Sequence, residues 1–177
     1  MCLCIGPAKS GKSLLMKRLQ GDEIDEATHT VTTNGINLFT VKSSSEQFDM
    51  VIREIGGSMA PIWKHYFDKV YKIIYVLDTS NLCQISAAGV LLYSILVEPR
   101  LRNIKVALVL NKMDLSYRQM RNEALLMLHF ARLKQEVTQK ITVIETSGMT
   151  GLGVEELRNW LFDPDVIKIT LQNKNKN

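Results

Sequence analysis

The sequence predicts an α/β fold: a six-stranded, mostly parallel sheet with one antiparallel strand and helices on both faces. Three observations carry this. A short apolar run, 2–5, runs into a glycine-rich turn and then into helical spacing. Two runs, 72–77 and 105–110, are continuously apolar after an opening lysine and end on polar residues; such runs suit parallel strands covered on both faces. Helical stretches at 87–97, 119–134 and 154–162 alternate with the apolar runs, the pattern of βαβ units. A chain of 177 residues suits one domain, since domains run to about 100–200 residues. We place that domain at 1–163 and a C-terminal extension at 164–177.

The first turn is the most informative stretch. Gly6-Pro7-Ala8-Lys9-Ser10-Gly11-Lys12-Ser13 fits G-x-x-x-x-G-K-[ST] at every fixed position. Gly6 and Gly11 let the backbone curl so that N–H groups point inward at a polyphosphate. The N-terminus of the following helix, 13–20, adds its dipole. Lys12 brings a cation to the β- and γ-phosphates, and Ser13 a hydroxyl to Mg²⁺. The loop therefore predicts a bound nucleoside triphosphate, without naming the base. Lys9 is either a solvated side chain or an extra phosphate contact.

After Gly21 the stretch 21–32 is polar, acidic and without period, a loop long enough to be functional or mobile. Residues 35–41 and 47–55 read as two strands joined by a hairpin turn at Ser43-Ser44-Ser45. Gly56-Gly57 closes the second strand, and 58–67 is marked by proline and then by aromatics. Asp78 closes the strand at 72–77, and Asn111-Lys112-Met113-Asp114 follows the strand at 105–110. Residues 119–134 read as one helix, with Leu126, Phe130 and Leu133 marking its apolar face. A strand at 141–144 and a helix at 154–162 follow, the latter with Leu157, Trp160 and Leu161 at core spacing. Residues 166–169 read either as an edge strand or as an extended arm, and 173–177 as a disordered tail. Ligands of such sheets bind outside the carboxyl ends of the strands. The glycine-rich loop, 54–57, 111–114 and 145–148 are therefore expected on one edge.

Composition narrows the function. The net charge of +4 is spread along the chain rather than gathered into a basic stripe with interleaved aromatics, so nucleic acid is not the expected partner. Three cysteines form no disulfide framework and suit a reducing, cytoplasmic setting. Cys2 and Cys4 alternate in the first strand, which puts at least one of them in the core. His29, His65 and His129 lack metal-ligand spacing. No apolar run reaches the roughly 18 residues of a membrane span, and the first residues show neither a charged n-region nor a cleavable apolar stretch, so no leader is expected. Position 2 is Cys rather than the Gly of N-myristoylation, and no C-a-a-X box ends the chain, so no direct lipid anchor is expected.

Asn111-Lys112-Met113-Asp114 fits N-K-x-D and selects the base. A carboxylate accepts two hydrogen bonds from guanine N1–H and its 2-amino group, a donor pair that adenine lacks, so Asp114 discriminates. Asn111 would brace neighbouring loops, and the Lys112 stem would lie over the base. With a phosphate loop upstream, the nucleotide is GTP or GDP with Mg²⁺. At this point the chain resembles the ADP-ribosylation-factor-like family of small GTPases over 3–162. Thr33-Asn34-Gly35-Ile36-Asn37 is similar to that family's T-x-G-x-N. Ile55-Gly56-Gly57 is similar to its double-glycine motif, 61–67 to its P-L-W-x-x-Y-F segment, and Thr146-Ser147-Gly148 to its fifth guanine-binding motif. A divergent branch of the family similarly starts at the first strand and carries E-x-G-G without the usual glutamine.

The resemblance implies a P-loop small-GTPase fold and a molecular switch. Thr33, rather than its neighbour Thr32, would sense the γ-phosphate and ligate Mg²⁺, and Gly57 would offer its N–H to the γ-phosphate. The backbone of Glu145 and Thr146 would face guanine O6. Effectors, an exchange factor and an activating protein would read a monomer through switch I (25–33) and switch II (56–68). Four departures qualify this. Glu54 stands where the family has Asp, either reaching Mg²⁺ through water or remaining a solvated strand-end charge. Ser58 replaces the glutamine that orients the attacking water and is too short for that role, so weak hydrolysis is implied. Switch II is about two residues shorter than the family pattern implies, and the family's amphipathic N-terminal helix is missing from the sequence. The competing expectation is a GTP-loaded scaffold that does not hydrolyse. A nucleotide kinase is the poorer fit, because no arginine-bearing lid interrupts the chain and N-K-x-D would be left unexplained.

Overall fold

Six strands form one sheet in the order β2-β3-β1-β4-β5-β6 in a computed structural model, which describes residues 1–25, 27–28, 30–43 and 49–163. They are β1 (Cys2–Ile5), β2 (Ile36–Val41), β3 (Met50–Ile55), β4 (Lys72–Asp78), β5 (Lys105–Asn111) and β6 (Lys140–Glu145). β2 and β3 pair antiparallel, Ile36 opposite Ile55 and Val41 opposite Met50. All other pairings are parallel. This is the predicted architecture. His29, most of the Ser43–Ser45 turn, the start of the second hairpin strand at Gln47, and the extension from 164 onward lie outside the described residues.

The pleat sorts the core into two layers, because successive side chains point to opposite faces. Leu3, Ile73, Tyr75 and Leu108 pack on one face with α2 (Ile85–Leu96) and α3 (Arg118–Met127). Cys4, Ile74, Val76 and Val109 pack on the other with α1 (Lys12–Gln20) and α5 (Val154–Phe162). Cys2 and Cys4 are both fully buried. Burial pushes the Cys2 thiol up to about 12 and the Cys4 thiol well above its ordinary value, so neither is poised as a nucleophile.

One buried charge ties the two ends of the fold together. Lys72, the first residue of β4, donates to Trp160 O at 2.9 Å and Leu161 O at 2.6 Å, and its ammonium lies 5.2 Å from the Trp160 ring centroid. These carbonyls belong to the last turn of α5, where helical partners run out and a cation is favoured.

Two elements depart from the expectations. The helix expected over 119–134 is two: α3 ends at Met127, and α4 (Phe130–Glu136) starts beyond His129, which is left-handed at φ 48°. Leu128 and Leu133 both reach the core, yet residues five apart on one continuous helix point about 140° from each other. The break lets both turn inward, and it leaves Leu126 73% exposed rather than on the apolar face. The second departure is a 3₁₀ helix over Gly57–Tyr66, pinned where the buried Trp63 donates its Nε1–H to Gly56 O at 3.1 Å.

Candidate functional site

The parallel strands β1, β3, β4, β5 and β6 deliver their following loops to one edge of the sheet. The loop over 6–13 joins β1 to α1. Gly11 has φ 84°, and a Cβ there would come within 2.5 Å of the Asn111 amide nitrogen, so both conformation and space require glycine. Lys12 is 5% exposed, and its ammonium donates to Gly6 O at 3.0 Å and Pro7 O at 2.7 Å. Burial lowers its pKa, opposed by the fields of Cys4 and Glu54. The curl of the loop thus holds a desolvated cation, a setting that favours an anion at short range.

Beside it, four polar side chains from four segments converge. Ser13 Oγ lies 3.0 Å from Thr33 Oγ1 and donates to Glu54 Oε1 at 2.6 Å. Thr33 Oγ1 lies 3.4 Å from the same oxygen, and Asn37 Nδ2 donates to Glu54 Oε2 at 3.1 Å. Glu54 is 1% exposed, so it is not a solvated strand-end charge. A buried carboxylate met here by neutral donors, with two hydroxyl oxygens beside it, is the hard oxygen set that Mg²⁺ prefers. The residues therefore fit a divalent cation.

Gly57 closes this side. A Cβ on it would sit 2.2 Å from Ala8 N, so only glycine allows the start of the 3₁₀ helix to lie against the phosphate loop. Ser58 is exposed, its hydroxyl 3.5 Å from Asn34 Oδ1. A cavity of about 250 Å³ runs between these groups, lined by Lys9, Lys12, Ser13, Thr33, Glu54 and Lys112 among others.

The far end is built on Asn111, which donates to Ser10 O at 2.9 Å and accepts from Thr146 Oγ1 at 3.0 Å. This bracing of loops is the role the sequence predicted for it. Lys112, left-handed at φ 62°, runs its stem past Gly11 and ends on Asp78 Oδ2 at 2.7 Å. Asp114 is exposed, and one of its oxygens accepts from Ser147 Oγ at 2.5 Å. Thr146 differs from the expectation. Its N–H is donated to Leu110 O at 2.8 Å, and its carbonyl accepts from Met113 N–H at 3.1 Å, so its backbone is engaged within the fold. The Glu145 carboxylate pairs with Arg121.

Two site residues escape a reading of the sequence. Ser147 holds Asp114, and its only signal is its place in Thr146-Ser147-Gly148. Arg18 of α1 donates to Gly148 O at 3.1 Å, to Ile24 O at 3.3 Å and to Met149 O. Its partners lie up to 131 residues away, and nothing in helical spacing announces them.

Comparison with known proteins agrees with this geometry. A family model described as the ADP-ribosylation factor family matches residues 1–164. ADP-ribosylation factor-like protein 16 of Homo sapiens is 33% identical over 169 residues, covering 91% of this chain and 84% of that protein. ADP-ribosylation factor-like protein 2 of Drosophila melanogaster is 27% identical over 162 residues, covering 90% and 84%. Among solved structures, the Arl6 BBS3 small GTPase of Trypanosoma brucei with a bound nucleotide analogue, GppNp, superposes with a TM-score of 0.76 at 20% identity, covering 92% of this chain and 95% of that one. A structure of the mammalian SRP receptor gives a TM-score of 0.74 at 16% identity, covering 90% and 97%. At such identities the two structures attest the fold.

Proposed function

The chain belongs to the ADP-ribosylation factor family, and from that premise we propose that it is a guanine-nucleotide switch that binds GTP and GDP with Mg²⁺. Hydrolysis is slow or depends on a partner. The observation that carries the reading is the meeting of Ser13, Thr33 and Glu54. Thr33 lies 20 residues beyond Ser13 in the chain, yet their hydroxyls are 3.0 Å apart. Anything held by Ser13 is thereby felt by the segment that carries Thr33.

Roles follow from the chemistry. Loop 6–13 cradles the phosphates with backbone N–H groups and the α1 dipole, and the Lys12 ammonium exchanges its loop carbonyls for phosphate oxygens. Bound Mg²⁺ supplies charge neutralisation between the phosphates. Ser13, Thr33 and Glu54 would hold it, Glu54 also steadying both hydroxyls. Gly57 offers its N–H to the terminal phosphate. Asp114 reads the guanine edge with the oxygen that Ser147 leaves open, and the Lys112 stem forms one wall for the base. The Thr146 N–H being engaged, we assign the backbone contact to guanine O6 to Gly148, which packs against Leu15 at the head of α1. Loss of the terminal phosphate frees Thr33 and Gly57, and effector, exchange and activating proteins read that difference in the cytoplasm.

Titration with fluorescent GDP, GTP and ADP tests the reading. Lys12→Ala is expected to abolish binding, and Asp114→Asn to lose preference for guanine. Undiminished guanine preference in Asp114→Asn would sink the base assignment. The exposed Ser58 favours a second reading, a GTP-loaded interaction module that does not cycle. Single-turnover phosphate release, with and without cell extract, separates the two: release in neither condition would establish the module.

A further inference from the structure

We infer that Lys9 is a cation supplied in cis to the phosphates of the bound nucleotide, placed to offset the negative charge that grows at the β–γ bridge as GTP is cleaved. The inference rests on the GTP-binding reading above.

Among the described residues four non-glycine residues have positive φ, and two of them, Lys9 at 63° and Lys112 at 62°, line the cavity described above. The left-handed conformation costs a side-chain-bearing residue about 1–2 kcal/mol. Glycine or asparagine would meet the demand of the loop more cheaply, so a lysine here spends stability for its side chain. The other two lysines of the cavity are engaged. Lys12 is held by Gly6 and Pro7 carbonyls, and Lys112 by Asp78. Lys9 is exposed to the cavity and has no bonding partner among the described residues.

Its position sets the phosphate it serves. The adjoining Ala8 N would lie 2.2 Å from a Cβ on Gly57, so this part of the loop abuts the segment that meets the terminal phosphate. Thr33 and Glu54 line the same cavity. Cleavage forms a bond from a water oxygen to the γ-phosphorus and breaks the bond from that phosphorus to the bridging oxygen. The electron pair leaves on the GDP β-phosphate, and the water proton ends on inorganic phosphate. Lys9 exchanges no proton in this step. It supplies charge stabilisation, the service of an arginine finger, while Ser58 leaves the water unoriented. A lysine acts as a point charge rather than a bidentate fork, so the gain is smaller than that of an arginine.

The test compares wild type, Lys9→Gly and Lys9→Arg. Glycine relieves the left-handed strain, so the Lys9→Gly protein is expected to melt no lower than wild type. Fluorescent GDP binding comes first; a wild type that binds no guanine nucleotide overturns the GTP-binding reading itself, whatever Lys9 does. Capture of aluminium fluoride by the GDP-bound protein, a planar phosphoryl mimic, comes second, and single-turnover phosphate release third. Lys9→Gly is expected to keep GDP affinity within about threefold while losing capture and hydrolysis by about 10²-fold, and Lys9→Arg to restore both. Equal capture and equal rates in wild type and Lys9→Gly, whether measurable or absent in both, overturn the inference. So does a loss of GDP affinity as large as the loss of capture, which would make Lys9 a ground-state contact.

Discussion

Asp114 shows how a single side chain acquires its precision from another. The carboxylate is exposed, and an exposed carboxylate samples several rotamers; the Ser147 hydroxyl at 2.5 Å selects one. A hydrogen bond to a charged group is worth about 1.5–3 kcal/mol. Ser147→Ala is therefore expected to weaken GDP binding by roughly tenfold or more, with little change in melting temperature, as fluorescent-GDP titration and thermal unfolding would show. Glu54 poses the converse case. Its extra methylene relative to the family's Asp still brings Oε1 to 2.6 Å from Ser13, so the longer side chain is accommodated within the same cluster. Chelating Mg²⁺ is expected to speed GDP release from wild type. In Glu54→Gln, which keeps the shape and loses the charge, a chelator should add little. A chelator effect of equal size in both proteins would remove Glu54 from the metal site. Both residues could be picked out from motif position; their partners could not, because Ser147 follows a different strand and Asn37 belongs to the hairpin.

At the scale of elements, α1 is more than the phosphate loop's continuation. Its Arg18 reaches the carbonyls of Gly148 and Met149 on the β6–α5 connection and Ile24 in the segment leading to Thr33. One guanidinium thus ties the β6–α5 connection to the segment leading to Thr33. Arg18→Met keeps the apolar stem and removes the donors. It is expected to accelerate GDP dissociation several-fold while leaving the circular dichroism spectrum unchanged; an unaltered dissociation rate would reduce Arg18 to packing. The 3₁₀ helix over Gly57–Tyr66 is similarly fastened at both ends, by Trp63 to Gly56 O and by Arg100, which donates to Lys64 O at 3.0 Å and pairs with Asp68 at 3.0 Å. Proline and aromatics have low helix propensity, so the composition of 58–67 does not announce these turns. Long-range tethers, which propensity does not contain, hold the turns in place.

Across the whole molecule, the most consequential buried charge outside the site is Lys72. Its burial lowers its pKa to about 8, with Cys2 and Asp163 opposing and Lys105 assisting. The unfolded chain keeps that proton to higher pH than the folded one, so on this account stability rises as pH passes above about 8. The Cys2 thiol acts in the other sense. It is held protonated to about 12 in the fold against 9.0 when free, and the Cys4 thiol is raised likewise, so the two thiols together outweigh the Lys72 gain as pH passes 9.0. Denaturant unfolding is expected to show stability rising from pH 8 toward 9 and falling beyond. Lys72→Met should abolish the rise and keep the fall; an unchanged rise would exclude Lys72 as its source. Much of the fold was legible beforehand for a physical reason. Unbroken apolar runs, glycine turns and helical spacing are local consequences of burial and backbone sterics, and they sufficed for six strands, a mostly parallel sheet with one antiparallel strand, and the loop-bearing edge. The sequence by itself also carried the chemistry proposed for the site, because phosphate cradling and guanine recognition would require particular residue types at short spacings. The tertiary structure alone decided what holds that chemistry in place: the break at His129, the Lys72 clasp on α5, the buried state of Glu54, and the grips of Ser147 and Arg18. Each of these is a contact between residues far apart in the chain, and such contacts exist only once the sheet has brought its loops to one edge.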